Sequence, residues 1–175
     1  DCSIPCNGAA AVIISRDKTE VELAGSGLST SKLASFERGD MTSWDSTINA
    51  AKIAYQEANI TPEDIDIAEV HDAFTPVELI SYEDLGFCKK GEGHYLIRQG
   101  VTKMNGKLPV NTSGGLKAKG HPISATGVSQ IYEIVKQMRK QAGKRQIDNT
   151  GTGLTHNVGG VGSTVTVHIM KHVGG

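Results

Sequence analysis

No apolar run in this sequence approaches the roughly 20 residues that cross a bilayer, and the N-terminal DCSIPCNG lacks a basic region followed by an apolar core. Neither a membrane span nor a signal peptide is therefore expected, and a soluble cytoplasmic protein is the default. Charge of one sign is missing as well: 18 Lys and Arg are interspersed with 19 Asp and Glu, for a net charge of -1. Without a basic stripe, nucleic acid is not an expected partner. Cysteine is scarce, at Cys2, Cys6 and Cys88 only. The odd count and wide spacing favour reduced thiols over a disulfide framework, although Cys2 and Cys6 could pair or share a metal with outside ligands. Cys88, in GFCKKGEG, has no histidine or helix start beside it to lower its pKa. A GxSxG elbow is absent too, so the sequence shows no nucleophile of its own.

What is present is a succession of strand and helix patterns. The 175 residues suffice for one compact domain or for half of a larger enzyme, and residues 1–175 are read as one domain. NGAAAVIIS has the length of a buried strand, and VELAGSGLST, which alternates and then gives way to small polar residues, reads as a second strand. Thr42 to Ala58 reads as a helix: Thr42-x-x-Asp45 has the capping-box pattern, and Ile48, Ala51, Tyr55 and Ala58 recur at helical spacing. ITPEDIDIAEV supplies another capping signal, with Pro62 in a tolerant first turn, and then a strand. In HDAFTPVELISYEDLG, Thr75 to Glu78 repeats the capping box and Gly86 is the expected C-cap. LPVNTSGG ends a strand in a glycine turn. KGHP starts a helix whose buried face is Val128, Ile131, Ile134, Val135 and Met138, before Gly143. GLTHNVGGVGSTVTVHIMK is strand, glycine-rich turn, strand, with Val165, Val167 and Ile169 alternating inward. Two strands followed by alternating helix and strand predict an α/β layer fold.

His71, His121 and His156 each sit in a turn at a predicted strand end, where open α/β sheets place ligands; His94, His168 and His172 lack that setting. One such histidine is more often a surface or packed residue, but three in the same setting shift the balance. The three come from separate strands, without the close pairing of a zinc motif, so no metal is expected. Proton transfer and oxyanion stabilisation fit better. A helix start behind His121 disfavours the imidazolium form, and the glycines of GGLKAKG and HNVGGVG let backbone N–H groups approach a ligand. Acyl transfer and enolate chemistry need such groups.

CNGAAAVIIS, HDAF, GHPISATG and HNVGG together, in this order, resemble the motifs of the C-terminal half of a thiolase, most similar to the sterol-carrier-linked and archaeal branches. HDAF resembles the family's Asn-Glu-Ala-Phe or His-Asp-Cys-Phe motif, and HNVGG its Cys-x-Gly motif. The resemblance implies a five-stranded mixed sheet with helices on both faces. It implies that the nucleophilic cysteine lies in an N-terminal half, supplied by a second polypeptide or by the rest of a longer enzyme. His121 would activate that cysteine and steady a thioester oxygen; His71 would take the position of an asparagine that holds a water for the same oxyanion hole. The backbone N–H groups at Val158 and Gly159 would serve a second oxyanion hole, and Asn111, Gly114, Gly115 and Phe74 would contact substrate. His156 stands where ordinary thiolases carry their acid/base cysteine, and Ala73 where the sterol-carrier-linked branch has one. His156 is expected to take that proton-transfer task, unless it is a structural or selective residue in a thiolase-like retro-aldolase, for which Tyr82 and Tyr95 are also available. The implied activity is acyl-CoA C-acyltransfer, with a coenzyme A thioester as substrate and no further cofactor. Implied partners are the N-terminal half, a dimer or larger hetero-oligomer, a zinc-ribbon/OB-fold protein and a hydroxymethylglutaryl-CoA synthase. A scaffold subunit that keeps the fold without catalysis is the third reading.

Overall fold

The structure, a computed structural model, describes residues 1–174. Among these, four strands form one mixed sheet in the spatial order β1 (Val21–Thr30), β4 (Thr164–His172), β3 (Thr152–Gly159), β2 (Ile67–Val70). β4 runs antiparallel to both its neighbours, whereas β2 and β3 are parallel. The helices are α1 (Asp45–Ala58), α2 (Thr75–Asp84), α3 (Gly93–Arg98), α4 (Gly115–Lys119) and α5 (Thr126–Met138).

Both faces of the sheet are covered, by separate apolar clusters. On one, Leu154, Val158, Val165, Val167 and Ile169 pack against Ala50, Ala51, Ala54 and Ala58 of α1, with Tyr82 and Leu85 behind. On the other, Ile67 and Met170 meet Ile134 and Met138 of α5 together with Ile147. Val165, Val167 and Ile169 are fully buried, as their alternation predicts. The approach of α1 to β1 is close because β1 carries Gly25 and Gly27 on its inner face. A Cβ at Gly27 would lie 1.9 Å from the Ala50 carbonyl oxygen, and one at Gly25 2.3 Å from that of Ala54.

Several sequence expectations need correction. The sheet has four strands rather than five: LPVNTSGG reaches β2 through a single parallel bridge, Ala68 to Val110, and then turns away at Asn111, whose φ is 54°. NGAAAVIIS is not a buried strand; among the described residues, 7–15 have no strand partner, and Ile13 and Ile14 are 97% and 79% exposed. An apolar run becomes a strand only beside a partner edge. α1 begins at Asp45, with Trp44 as N-cap. Thr42 instead donates to Asp40, and the cap is tied from a distance: Asp84, at the end of α2, accepts from Ser43 Oγ and the Trp44 N–H at 2.7 Å each. Glu78 likewise does not close a capping box. Its carboxylate accepts from Tyr82 and Asn111. The Thr61–Asp64 box does form, on a short 3-10 turn opened by Pro62, and Gly86 follows the end of α2 at φ 81°.

Gly27→Ala is expected to destabilise the fold by about 3 kcal/mol, the upper range for overpacking. The measurement is a urea midpoint at unchanged m-value; a midpoint equal to the parent's would show that α1 lifts off β1 without cost.

Candidate active site

β2 and β3 are in parallel register, Val70 opposite His156. The next residues along, His71 and Asn157, therefore emerge side by side. Because successive strand side chains face opposite ways, His156 points to the α1 side and Asn157 to the α5 side, where Asn157 lies against Gly127 at the start of α5. His71 Nδ1 is 3.1 Å from Asn157 Oδ1.

His121 comes to the same place from the chain between α4 and α5. Its ring stands edge-on to that of His71, with centroids 5.1 Å apart and planes at 84°. Its Nδ1 is 2.8 Å from Thr126 Oγ1. The helix start that the sequence places directly behind His121 lies further on, since α5 begins at Thr126 and its first turn opens on the Pro122 carbonyl.

The turns bearing the two histidines are fastened to each other by carboxylates and by an N-terminal strap. Asp72 accepts from the Leu116 N–H at 2.8 Å and the Lys117 N–H at 3.4 Å. A Cβ at Gly115 would lie 2.2 Å from Asp72 Oδ2, so Gly115, at φ 61°, has no room for a side chain. Gly114, at φ 96°, precedes it. Glu69 accepts from the Ser113 N–H at 3.0 Å and from Ser113 Oγ at 2.6 Å, and Lys119 donates to the same Oγ at 2.9 Å. Ser3 donates its N–H to Ala73, and His121 donates its N–H to Ile4, both at 2.8 Å. One short segment thus spans HDAF and GHP.

Electrostatics keep part of this site neutral. Burial holds the His71 imidazole down at about 4, the neighbouring His121 adds to the shift, and Asn157 opposes it. His156 is held down at about 3 by complete burial and then by His71. Burial raises Glu69, Asp72 and Glu78, with hydrogen-bond donors offsetting part of the rise.

The remaining expected residues are distributed as follows. His156 has no exposed surface; its Nε2 is 3.1 Å from Thr47 Oγ1 of α1, and its Nδ1 has no hydrogen-bond partner among the described residues. Asn111 uses its side-chain oxygen to accept from the Val70 N–H at 2.8 Å and its amide to donate to Glu78, which occupies it with framework. Phe74 is half exposed at the α2 N-cap, bridged to Cys2. Val158 and Gly159 close β3 opposite Val165 and Thr164. Tyr82 is buried, and burial and Glu78 raise its phenol above the ordinary range. Tyr95 is half exposed and its ring lies tilted against that of His94, 3.9 Å between centroids. His168 and His172 are four residues apart on β4, a spacing that on a strand spans roughly 13 Å. Among the described residues, Cys2, Cys6 and Cys88 are free, and burial pushes the Cys88 thiol up to about 11.

Sequence reasoning missed Thr126, Asn157 and Glu69, and placed Asp72 of HDAF on its strand-to-helix turn without giving it a role. Thr126 and Asn157 lie inside the quoted motifs GHPISATG and HNVGG, but only strand alternation and the path from α4 to α5 show that they face the histidines.

His71, just past the end of β2, and His121, from the chain between α4 and α5, thus meet beside a glycine turn, where their rings can bind a ligand or move a proton. The family model described as "Thiolase C-terminal domain-like" matches residues 27–172, and the chain belongs to that family. It is 47% identical to an acetyl-CoA acetyltransferase of Methanothermobacter thermautotrophicus over 178 residues, covering 98% of this chain and 46% of that protein. It is 37% identical to sterol carrier protein 2 of Homo sapiens, covering 97% of this chain and 33% of that one. The chain thus spans less than half the length of these relatives. Among solved structures, an Ltp2-ChsH2(DUF35) aldolase superposes with a TM-score of 0.77 at 26% identity, covering 87% of this chain and 39% of the other.

The depressed histidines have a pH signature. The unfolded chain takes up protons near the ordinary histidine pKa of about 6.5, whereas His71 and His156 resist until about 4 and 3. Their stabilising contribution is therefore complete above about 6.5 and declines as pH falls toward the folded values. Wild type is expected to lose stability relative to His156→Gln over that window. A constant difference between their urea midpoints from pH 7.5 to 4.5 would contradict this, and the comparison cancels the opposing effect of the buried carboxylates.

Proposed function

We propose that this chain is the C-terminal part of a thiolase-type acyl-CoA C-acyltransferase, completed by an N-terminal half that carries the nucleophilic cysteine. The observation that carries this reading is the His71–His121 pair, 5.1 Å apart on turns locked together by Asp72. In the proposed reaction His121 takes the proton of the partner's cysteine thiol as the thiolate attacks the thioester carbonyl. The thioester C–S bond breaks, and coenzyme A leaves with that proton as its thiol. His71, held neutral, orients a water toward the thioester oxygen that becomes an enolate oxygen in the condensation step. The backbone at Val158 and Gly159 is proposed for the second oxyanion hole, and the turn Asn111–Gly115 with Phe74 for the substrate wall. A coenzyme A thioester is the proposed substrate, without a metal.

His156 is the expected base whose role the geometry weakens. An enclosed ring with depressed basicity exchanges a proton only when α1 moves, so its burial favours packing against Thr47, and His121 is the proposed acid/base. The exposed run Ala9–Ile14 supports a covering partner: its backbone is unpaired here, and six consecutive apolar residues suit a strand buried on both faces.

A second reading, a retro-aldolase subunit acting on a β-hydroxyacyl-CoA, draws support from the superposition on an aldolase. A zinc-ribbon/OB-fold protein is a proposed partner in either reading, and a hydroxymethylglutaryl-CoA synthase in the first. Mass spectrometry of the complete enzyme after acetyl-CoA treatment separates them. An acetyl adduct on one cysteine is expected, and its absence at every cysteine would remove the acyl-transfer reading. In the same assembly His121→Ala is expected to lower kcat/KM by about 10²–10⁴, and unchanged turnover would point to a scaffold. Hydrogen exchange at residues 9–14 is expected to slow markedly when the partner half is added; equal rates with and without it would remove the strand-pairing role.

A further inference from the structure

The chemistry open to an imidazole depends on which nitrogen carries its proton, and the hydrogen bond at the other nitrogen sets that. The partners of both site histidines can be read for donor and acceptor capacity. Thr126 has one hydroxyl proton, and its Oγ1 donates it to the Pro122 carbonyl at 3.2 Å, the back-bond common for threonine in a first helical turn. With the hydroxyl proton on that carbonyl, the Oγ1 lone pairs face His121 Nδ1 at 2.8 Å and accept from the ring nitrogen. Asn157 presents its amide oxygen to His71 Nδ1 at 3.1 Å, and a carbonyl oxygen can only accept. The two rings are thus oriented alike, from different elements: α5 for one and β3 for the other.

We infer that Thr126 and Asn157 are positioning residues that hold His121 and His71 both in the Nδ1–H tautomer, leaving both Nε2 atoms as bare acceptors. Each ring consequently begins the cycle ready to accept. His121 Nε2 takes the thiol proton as the cysteine attacks and passes it to the departing coenzyme A sulfur, which leaves the nitrogen bare for the next transfer. His71 Nε2 accepts one hydrogen of a water, whose other hydrogen is free to turn toward the thioester oxygen. The opposite tautomer would present an N–H to the cysteine and block proton removal. This catalytic consequence rests on the acyl-transfer reading; the tautomers rest on the chain's own hydrogen bonds alone.

The test is a long-range ¹H–¹⁵N correlation spectrum of the full chain with labelled histidine at pH 8, where ring nitrogens with and without a proton resonate far apart. Wild type is expected to show protonated Nδ1 and bare Nε2 for both His71 and His121. A protonated Nε2 on either ring would overturn the inference without any variant being made. Thr126→Ser, which keeps the hydroxyl, is expected to retain the His121 pattern, and Thr126→Val to shift it toward Nε2–H. Asn157→Asp is expected to retain the His71 pattern and Asn157→Leu to lose it. An unchanged His121 or His71 pattern in the Val or Leu variant overturns the role of that residue. In the complete enzyme Thr126→Val is expected to lower kcat about tenfold with KM nearly unchanged, and Thr126→Ser to restore it; a fall confined to KM overturns the catalytic consequence. These spectra need neither partner nor substrate. A missing acyl adduct would therefore remove the acyl-transfer reading and leave the tautomers standing.

Discussion

Everything at this site depends on the parallel register that sets Val70 of β2 opposite His156 of β3. β2 ends at this level while β3 runs on beside β4, so His71, the first residue past β2, meets Asn157, the next along β3. A slip of one residue would exchange the faces of His156 and Asn157. The fully buried ring would then face α5, and the amide that orients His71 would face the alanines of α1. Ladder hydrogen bonding thus decides which of two neighbouring polar residues serves the candidate site.

Around that register, buried carboxylates do work that backbone pairing leaves undone. The segment after Val110 leaves the sheet after one bridge, and its N–H groups would otherwise be orphaned beside a core. Glu69 and Asp72 satisfy those of Ser113, Leu116 and Lys117. Desolvation opposes their ionisation, and the donors converging on them offset part of that cost. The result is a turn held from below by β2 and from the side by HDAF, which delivers His121 to His71. Glycine at 115 is required because the carboxylate occupies the space of its Cβ.

The unpaired apolar run Ala9–Ile14 and the half-length match to acyltransferase and sterol carrier relatives are consistent with one another. A chain whose proposed acid/base histidines look to a nucleophile from elsewhere also exposes Ile13 and Ile14. Both features are accounted for if another fold surface closes over this one. The strap from Cys2 to Cys6, laid across both histidine turns, links that run directly to the site.

Much of the architecture was legible in local sequence. β1, β3 and β4 show in their alternation or apolar length, α1 and α5 in their periodicity, and the 3-10 turn in Thr61-Pro62-x-Asp64, because these signals depend on near neighbours. His71 was legible as a strand-end residue, following β2; His121 was not, since it lies between α4 and α5. Tertiary structure alone decided the rest. Whether NGAAAVIIS and LPVNTSGG become strands depends on a partner edge, which no local pattern encodes. The capping patterns at Thr42 and Thr75 gave way to Asp84, Tyr82 and Asn111, whose contacts come from distant parts of the chain. The choice between His156 and Asn157 at the site was beyond the sequence for the same reason: they are adjacent and both polar, and only pairing with β2 and β4 assigns each its face.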